Sequence, residues 1–263
     1  MNKKTIVFYF SQSGNSLYVA KKIAADIGNT TLVSIPEAIH NNEYKYNNYE
    51  KVGLIIPLYF RSMPNMVRDF ISKLEISKDS YVFSVITRAI TKGRIFHDID
   101  ELLNKKEVKI NYGKYLTFPD SYIKWMGAPS DKKLIKRFEQ VEKSLDLITE
   151  KILYEDNYKE NEGVILRTYS LMSYTIWKSR LKTMSKKFKV SSSCVGCGIC
   201  EKTCPARNIR LENGKPIWES KCEDCMACVQ HCPEKAIYFN SKTINKRRYI
   251  NPNIKLNELL YKR

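Results

Sequence analysis

Apolar and amphipathic segments alternate along the first half of the chain. Mostly apolar segments at Thr5 to Phe10, Lys51 to Ile56 and Tyr81 to Ile86 are apolar enough for buried strands of a parallel sheet. An edge strand is predicted at Thr31 to Ile35, and a fifth strand within Val108 to Phe118. The sequence therefore predicts a five-stranded parallel sheet.

Helices are predicted between these strands. Apolar residues from Leu17 to Ile27 recur at helical spacing, and Gly28 ends that helix. A second helix follows Pro64 over Asn65 to Leu74, and Phe96 to Leu103 mark a third. This alternation predicts a doubly wound α/β fold, in which ligands bind at the carboxyl ends of the strands.

Two further amphipathic stripes, from Leu134 to Ile152 and from Leu166 to Phe188, predict long helices separated by a polar loop at Tyr154 to Gly163. No Pro, Gly or Ser run marks a flexible tether, so the second helix is expected to pack as a brace. We accordingly divide the chain into an α/β domain (1–155), a helical connector (156–188), a cysteine-rich domain (189–241) and a tail (242–263).

All eight cysteines lie in the last 70 residues of the chain, in two sets with the spacing C-x2-C-x2-C-x3-C-P. Each position of the second set lies 28 residues after its counterpart, which indicates an internal duplication. The sets are Cys194, Cys197, Cys200 and Cys204, then Cys222, Cys225, Cys228 and Cys232.

This spacing is typical of two four-iron clusters. Three closely spaced thiolates wrap one cluster, and the fourth cysteine, before a proline, reaches the other cluster. The expected ligand sets are Cys194, Cys197, Cys200 and Cys232 for one cluster and Cys222, Cys225, Cys228 and Cys204 for the other. Zinc sites do not need the third evenly spaced thiol. Disulfides are disfavoured because cysteines three apart pair poorly. Residues Lys189 to Phe239 resemble bacterial two-cluster ferredoxins.

A small, hydroxyl-rich turn joins the first strand to the first helix. Its backbone N–H groups and the positive helix end favour an anion, while the Walker A and dinucleotide motifs are absent. The turn resembles the phosphate loop of flavodoxins, S/T-x-T-G-N-S/T, with Ser13 in the place of the usual Thr. The resemblance implies that the phosphate of FMN binds at Ser11, Gln12, Ser13, Gly14, Asn15 and Ser16.

Two later loops resemble the flavin-contacting loops of the same family. The second loop contributes Pro57, Leu58, Tyr59, Phe60 and Arg61, with Tyr59 expected to stack on the flavin ring and Phe60 as the alternative. The third loop contributes Thr87, Arg88 and Gly93 and lacks the family's usual aromatic and Gly-Gly elements. A flavodoxin-like domain without FMN is therefore the competing interpretation.

The resemblance to clostridial-type fusions of a flavodoxin-like domain with a two-cluster ferredoxin spans nearly the whole chain. Besides the motifs above, it rests on Pro119 to Ile123, Lys215 to Trp218 and Lys242 to Pro252. It implies FMN and two 4Fe–4S clusters as cofactors. Arg61 and Arg88 in the flavin loops suggest a further hypothesis, that they stabilise the reduced, anionic flavin and raise its potential.

Charge is the remaining outstanding property of this 263-residue chain, which has 45 Lys and Arg against 28 Asp and Glu, a net charge of +17. No nucleic-acid-binding motif accompanies the basic residues. Because ordinary ferredoxins and flavodoxins are acidic, an acidic redox protein is the favoured partner and nucleic acid the less favoured one. The sequence predicts no membrane span and no secretory signal, and therefore a cytoplasmic location.

Electron transfer among two clusters, FMN and a redox partner is the function that these motifs favour. Whether the protein is a carrier or an enzyme stays open. One alternative is a flavin-dependent reductase of a small acceptor such as a quinone. The others are a ferredoxin with a flavin-free N-terminal domain and a redox-sensing nucleic-acid-binding protein.

Overall fold

The computed structural model describes residues 3–261, so that residues 1, 2, 262 and 263 of the predicted domains 1–155 and 242–263 lie outside it. The strands are β1 (Thr5–Tyr9), β2 (Thr30–Ser34), β3 (Lys45–Tyr46), β4 (Lys51–Pro57), β5 (Glu75–Ile76), β6 (Tyr81–Arg88), β7 (Tyr112–Thr117), β8 (Tyr158–Lys159), β9 (Lys189–Val190), β10 (Ile209–Glu212), β11 (Lys215–Trp218) and β12 (Ile237–Tyr238). The main sheet has the order β2-β1-β4-β6-β7-β8, and all its neighbouring strands are parallel.

Helices cover both faces of this sheet, as a doubly wound fold requires. They are α1 (Asn15–Ile27), α2 (Ile35–Asn41), α3 (Asn65–Lys73), α4 (Ile95–Leu103), α5 (Asp131–Leu153), α6 (Val164–Met184), α7 (Ile199–Lys202), α8 (Ala227–Gln230) and α9 (Ser241–Ile244). Short 3-10 turns lie at Asn104–Lys106, Ser185–Lys187 and Leu256–Leu259. Side chains of α1 and α5 fill one core, and those of α2, α3 and α4 fill the other. The predicted α/β class is confirmed.

The sheet has six strands, so the prediction of five is wrong by one edge strand. β8 forms only two residue pairs with β7, Tyr112 with Tyr158 and Gly113 with Lys159. A two-residue, exposed strand is too short to leave a periodic pattern, which is why the sequence pattern at Tyr154 to Gly163 predicts a loop. The sheet therefore continues past residue 155.

The connector helix α6 packs against the α/β domain. Its buried residues Tyr174, Trp177 and Leu181 form a cluster with Tyr59 and Phe60 of the second predicted flavin loop. The rings of Phe60 and Trp177 are stacked, with centroids 5.0 Å apart. The connector is thus a packed brace that touches a predicted cofactor loop.

The cysteine-rich domain is built from two similar halves. β9 pairs with β12, and β10 and β11 form a hairpin. The third cysteine of each set lies in a one-turn helix, Cys200 in α7 and Cys228 in α8. The two cysteine sets, which are 28 residues apart in the sequence, therefore have similar local structures.

Candidate functional site

A cavity of about 260 Å³ lies at the carboxyl ends of β1, β4 and β6. The three predicted loops meet there, as expected at this edge of a doubly wound sheet. The predicted flavin-binding residues that line the cavity are Ser11, Gln12, Ser13, Asn15, Ser16, Pro57, Leu58, Tyr59, Phe60, Arg61, Thr87 and Arg88.

Two predicted residues, Gly14 and Gly93, lie beside the cavity and shape its loops. Gly14 has a φ of 92°, and a Cβ there would lie 2.9 Å from the Cβ of Asn251 in the tail. At Gly93 a Cβ would lie 1.9 Å from the carbonyl oxygen of Arg61. Glycine therefore lets the first loop approach the tail and the third loop approach the second.

The turn before α1 has the features of an anion site. No side chain caps the described N-terminus of α1, whose first backbone N–H groups have no partner within the helix. The hydroxyls of Ser16 and Thr87 lie 2.9 Å apart and join the first loop to the third. A phosphate group placed there would receive both backbone and hydroxyl donors.

Three buried polar atoms in the cavity wall lack a partner within the described residues: Gln12 Oε1, the Tyr59 hydroxyl and Arg88 Nε. The two oxygens fit a polar aromatic ligand. The Gln12 side chain donates to the Ser121 hydroxyl over 2.9 Å, but its Oε1 has no partner. The Tyr59 hydroxyl is also unpaired, and burial raises its pKa well above the usual value. Unpaired buried groups are costly, so both favour a bound partner.

The two cavity arginines are each held by the protein. Arg61 donates to the carbonyl of Lys92 over 3.1 Å, and its guanidinium lies 4.8 Å from the ring centre of Tyr169. Arg88 donates to the carbonyl of Ile90, and its guanidinium lies 5.4 Å from the ring centre of Tyr115. Both positive charges are thereby fixed at the cavity wall.

Another wall of the cavity comes from residues for which the sequence predicted no role in flavin binding. Pro119 to Ile123 carried part of the family resemblance, and residues 119–122 of that motif line the cavity. The others come from beyond this motif, from α6 and from the cysteine-rich domain. They are Trp125, Met126, Ser173, Asp224 and Cys225. These residues are far apart in the sequence, so no local sequence pattern predicts that they meet at the cavity.

Asp224 connects three of the segments that surround this wall. Its buried carboxylate accepts hydrogen bonds from the Tyr122 hydroxyl at 2.7 Å and from the Trp177 indole at 3.2 Å, and it pairs with Lys124. Burial and the nearby carboxylate raise the pKa of the Tyr122 hydroxyl, which therefore stays a donor. One side chain thus joins the cysteine-rich domain, the connector and the segment after β7.

The eight cysteines surround two small cavities, four to each. One is lined by Cys194, Cys197, Cys200 and Cys232, and the other by Cys204, Cys222, Cys225 and Cys228. Within residues 3–261 no three histidine, cysteine or acidic side chains are placed to share a single metal ion. We call the first cavity the outer cluster site and the second the inner cluster site.

The donor set at both cavities suits an iron–sulfur cluster. Burial raises the pKa of Cys200 and of Cys222 to about 12, so the free thiols do not ionise at neutral pH, whereas bound iron stabilises the thiolates. Backbone N–H groups also point at the sulfurs. Those of Asn208 and Ala236, 28 residues apart, each donate to a cysteine sulfur over 3.3 Å.

The cysteine-rich domain and the tail both hold the first loop. The His231 ring contacts the carbonyl oxygen of Gln12 at 2.6 Å, which gives this isolated histidine a packing role. The Tyr249 hydroxyl donates to Asn15 Oδ1 over 2.7 Å, and the Asn251 N–H donates to the Ser13 carbonyl over 2.8 Å. The loop is therefore fixed by two distant parts of the chain.

A second contact between the domains uses a helix end. The buried carboxylate of Glu223 accepts hydrogen bonds from the backbone N–H groups of Asn65 at 2.8 Å and Met66 at 3.1 Å, at the start of α3. Burial raises the pKa of Glu223 to about 7, while these two N–H groups and the positive end of the helix favour its ionised form. Glu223 thereby fixes the inner cluster site against the α/β domain.

Two family models match separate parts of the chain. Residues 6–114 match a flavodoxin domain, and residues 193–237 match a 4Fe–4S dicluster domain. No helix formed by residues 3–261 is long and apolar enough to cross a membrane.

Among curated proteins, similarity is confined to a short segment. A subunit of an ion-translocating oxidoreductase complex from Methanosarcina acetivorans is 42% identical over 65 residues, 24% of this chain and 25% of that protein. A ferredoxin of Pyrobaculum islandicum is 51% identical over 47 residues, 17% of this chain and 43% of that protein. The chain thus spans less than half the length of either relative.

Solved structures are similar to part of this chain. A flavoprotein from Lactobacillus acidophilus NCFM, in complex with FMN, aligns with 43% of this chain and 93% of its own, at 18% identity and a TM-score of 0.35.

Proposed function

Because this chain joins a flavodoxin domain to a 4Fe–4S dicluster domain, we propose that its two clusters exchange electrons with FMN and with an external redox partner. The fusion predicted from the sequence is confirmed, and the protein is an iron–sulfur flavoprotein. When bound, the clusters supply one-electron chemistry, and FMN supplies one- or two-electron chemistry.

The position of Cys225 is the observation on which the proposal rests. It lines the inner cluster site and also the cavity formed by the three flavin loops. A ligand of the inner cluster would therefore form part of the wall that contacts the flavin. Asp224, next to it, is held by Tyr122 and Trp177, so this shared wall is fixed in position.

The outer cluster site is the better contact point for an external partner. Cys197 is exposed and Val195 is 67% exposed, whereas the inner site is covered by the α/β domain and the connector. Lys215 donates to the carbonyl of Cys194 over 2.9 Å and places a positive charge at this surface. With the net charge of +17, this supports an acidic redox protein as the partner.

Stopped-flow spectroscopy under anaerobic conditions tests the path. A reduced acidic ferredoxin is mixed with the oxidised holoprotein, and flavin absorbance is followed. With excess FMN added so that every variant is saturated with flavin, we expect Cys197→Ser and Cys225→Ser to slow flavin reduction at least about tenfold. Leu147→Ser, at a 62% exposed site on α5, is the control. Flavin reduction at the wild-type rate in both cysteine variants would contradict the proposed path.

A flavin-dependent reductase is the second candidate, and one observation favours it. The exposed apolar side chains Ile90, Trp125 and Met126 line the cavity, where a small aromatic acceptor such as a quinone can bind. Multiple turnover of a quinone by the isolated holoprotein, weakened by Trp125→Ala, would support this activity. Single-turnover oxidation that is unchanged in Trp125→Ala would leave the protein an electron carrier.

A further inference from the structure

The exposed side of α6 carries a row of large apolar side chains. Ile165 is 88% exposed, Tyr169 57%, Met172 63% and Ile176 51%. Their spacing of four, three and four residues places them on one stripe of the helix, opposite the face that buries Tyr174, Trp177 and Leu181. The stripe therefore contributes nothing to the core of the described chain.

The same helix continues into a strongly basic segment. Between Glu162 and Glu201 the sequence contains no acidic residue. The exposed cations there are Lys178, Arg180, Lys182, Lys186, Lys187 and Lys189. The apolar stripe and five of these cations, Arg180, Lys182, Lys186, Lys187 and Lys189, are together called the α6 surface. Lys178 lies on another side of the helix, toward Glu223.

The flavin cavity borders the apolar stripe, because Arg61 in its wall lies 4.8 Å from the ring centre of Tyr169. Trp125 belongs to the same cavity wall. It is 67% exposed and lies 5.9 Å from the ring of Phe60, which stacks on Trp177 of α6. Ser173, between the stripe and the buried face, lines the same cavity as Trp125. The mouth of the flavin cavity therefore opens next to the α6 surface.

We propose that the α6 surface binds an anionic lipid bilayer. Apolar side chains that enter the interface, next to cations that attract acidic headgroups, are the two signals that stable peripheral binding requires. An exposed Trp suits the interfacial region. A second copy of this chain is disfavoured as the occupant because two such surfaces would bring like charges together. An acidic protein would match the cations but not the adjacent row of apolar side chains.

Vesicle co-sedimentation of the full-length holoprotein tests the proposal. We expect binding to mixed phosphatidylglycerol and phosphatidylcholine vesicles and little binding to phosphatidylcholine alone. The double variants Ile165→Ser with Met172→Ser, and Arg180→Gln with Lys182→Gln, should each weaken binding at least about tenfold. Both should keep their iron and FMN and the wild-type rate of flavin reduction in solution.

Matched controls come from α5, which also carries exposed apolar and basic residues. Ile135→Ser with Leu147→Ser, and Lys132→Gln with Lys133→Gln, should leave vesicle binding within about twofold of wild type. Equal losses in the α5 and α6 variants would overturn the proposal, as would absence of binding to anionic vesicles. If the protein does not bind vesicles but forms a dimer, or a complex with an acidic ferredoxin, that requires these α6 residues, the proposal is also overturned.

Discussion

Gly14 has no side chain, and this lets the first loop and the tail come into contact. A Cβ there would clash with Asn251 and crowd Ile254, and the φ of 92° already disfavours any other residue. We expect Gly14→Ala to weaken FMN binding at least about tenfold, measured by flavin fluorescence. Gly214→Ala is the matched control, because Gly214 has a φ of 71° but open space around it. Equal effects of the two variants would show that the contact with the tail does not matter.

The positive charges of Arg61 and Arg88 should raise the flavin potential. Both guanidinium groups are fixed at the cavity wall, where a nearby cation favours a reduced, anionic ring. We expect replacing both with Gln to lower the FMN midpoint potential by tens of millivolts, on the order expected for two partly solvated charges. Spectroelectrochemistry measures the shift. An unchanged or raised midpoint would refute the hypothesis.

The tail acts as an element that holds the first cofactor loop. Tyr249 is buried, and its hydroxyl supports Asn15 from 234 residues away. Tyr249→Phe removes the hydrogen bond to Asn15, which contributes about 1 kcal/mol, and should therefore raise the Kd for FMN about fivefold. Calorimetry of the apoprotein with FMN measures the change. Tyr154→Phe, at a 75% exposed site, is the control and should bind FMN as wild type does.

The elements that the sequence predicted well are those with long periodic patterns. Strand β4 and helices α1 and α5 differ from their predicted limits by a few residues, since burial imposes a regular spacing on each. β8 was missed because two exposed residues make no pattern. The roles of Asp224 and Tyr249 were missed because contacts between distant segments depend on how the domains pack.

Across the whole molecule, the clusters should help to hold the flavin. The cysteine-rich domain is small, so we expect it to depend on its iron for folding. It also supplies Cys225 to the flavin cavity and His231 to the first loop. Anaerobic removal of iron should therefore lower the melting temperature and weaken FMN binding at least about tenfold. Unchanged FMN affinity in the iron-free protein would show that the two sites are independent.

The most direct measurement is a count of iron, sulfide and FMN on one anaerobically purified sample of the full chain. The account predicts about eight irons, about eight sulfides and about one FMN per chain, from two four-iron clusters and one flavin. Eight irons without flavin would contradict it and leave a ferredoxin joined to a flavodoxin-like domain that binds no FMN.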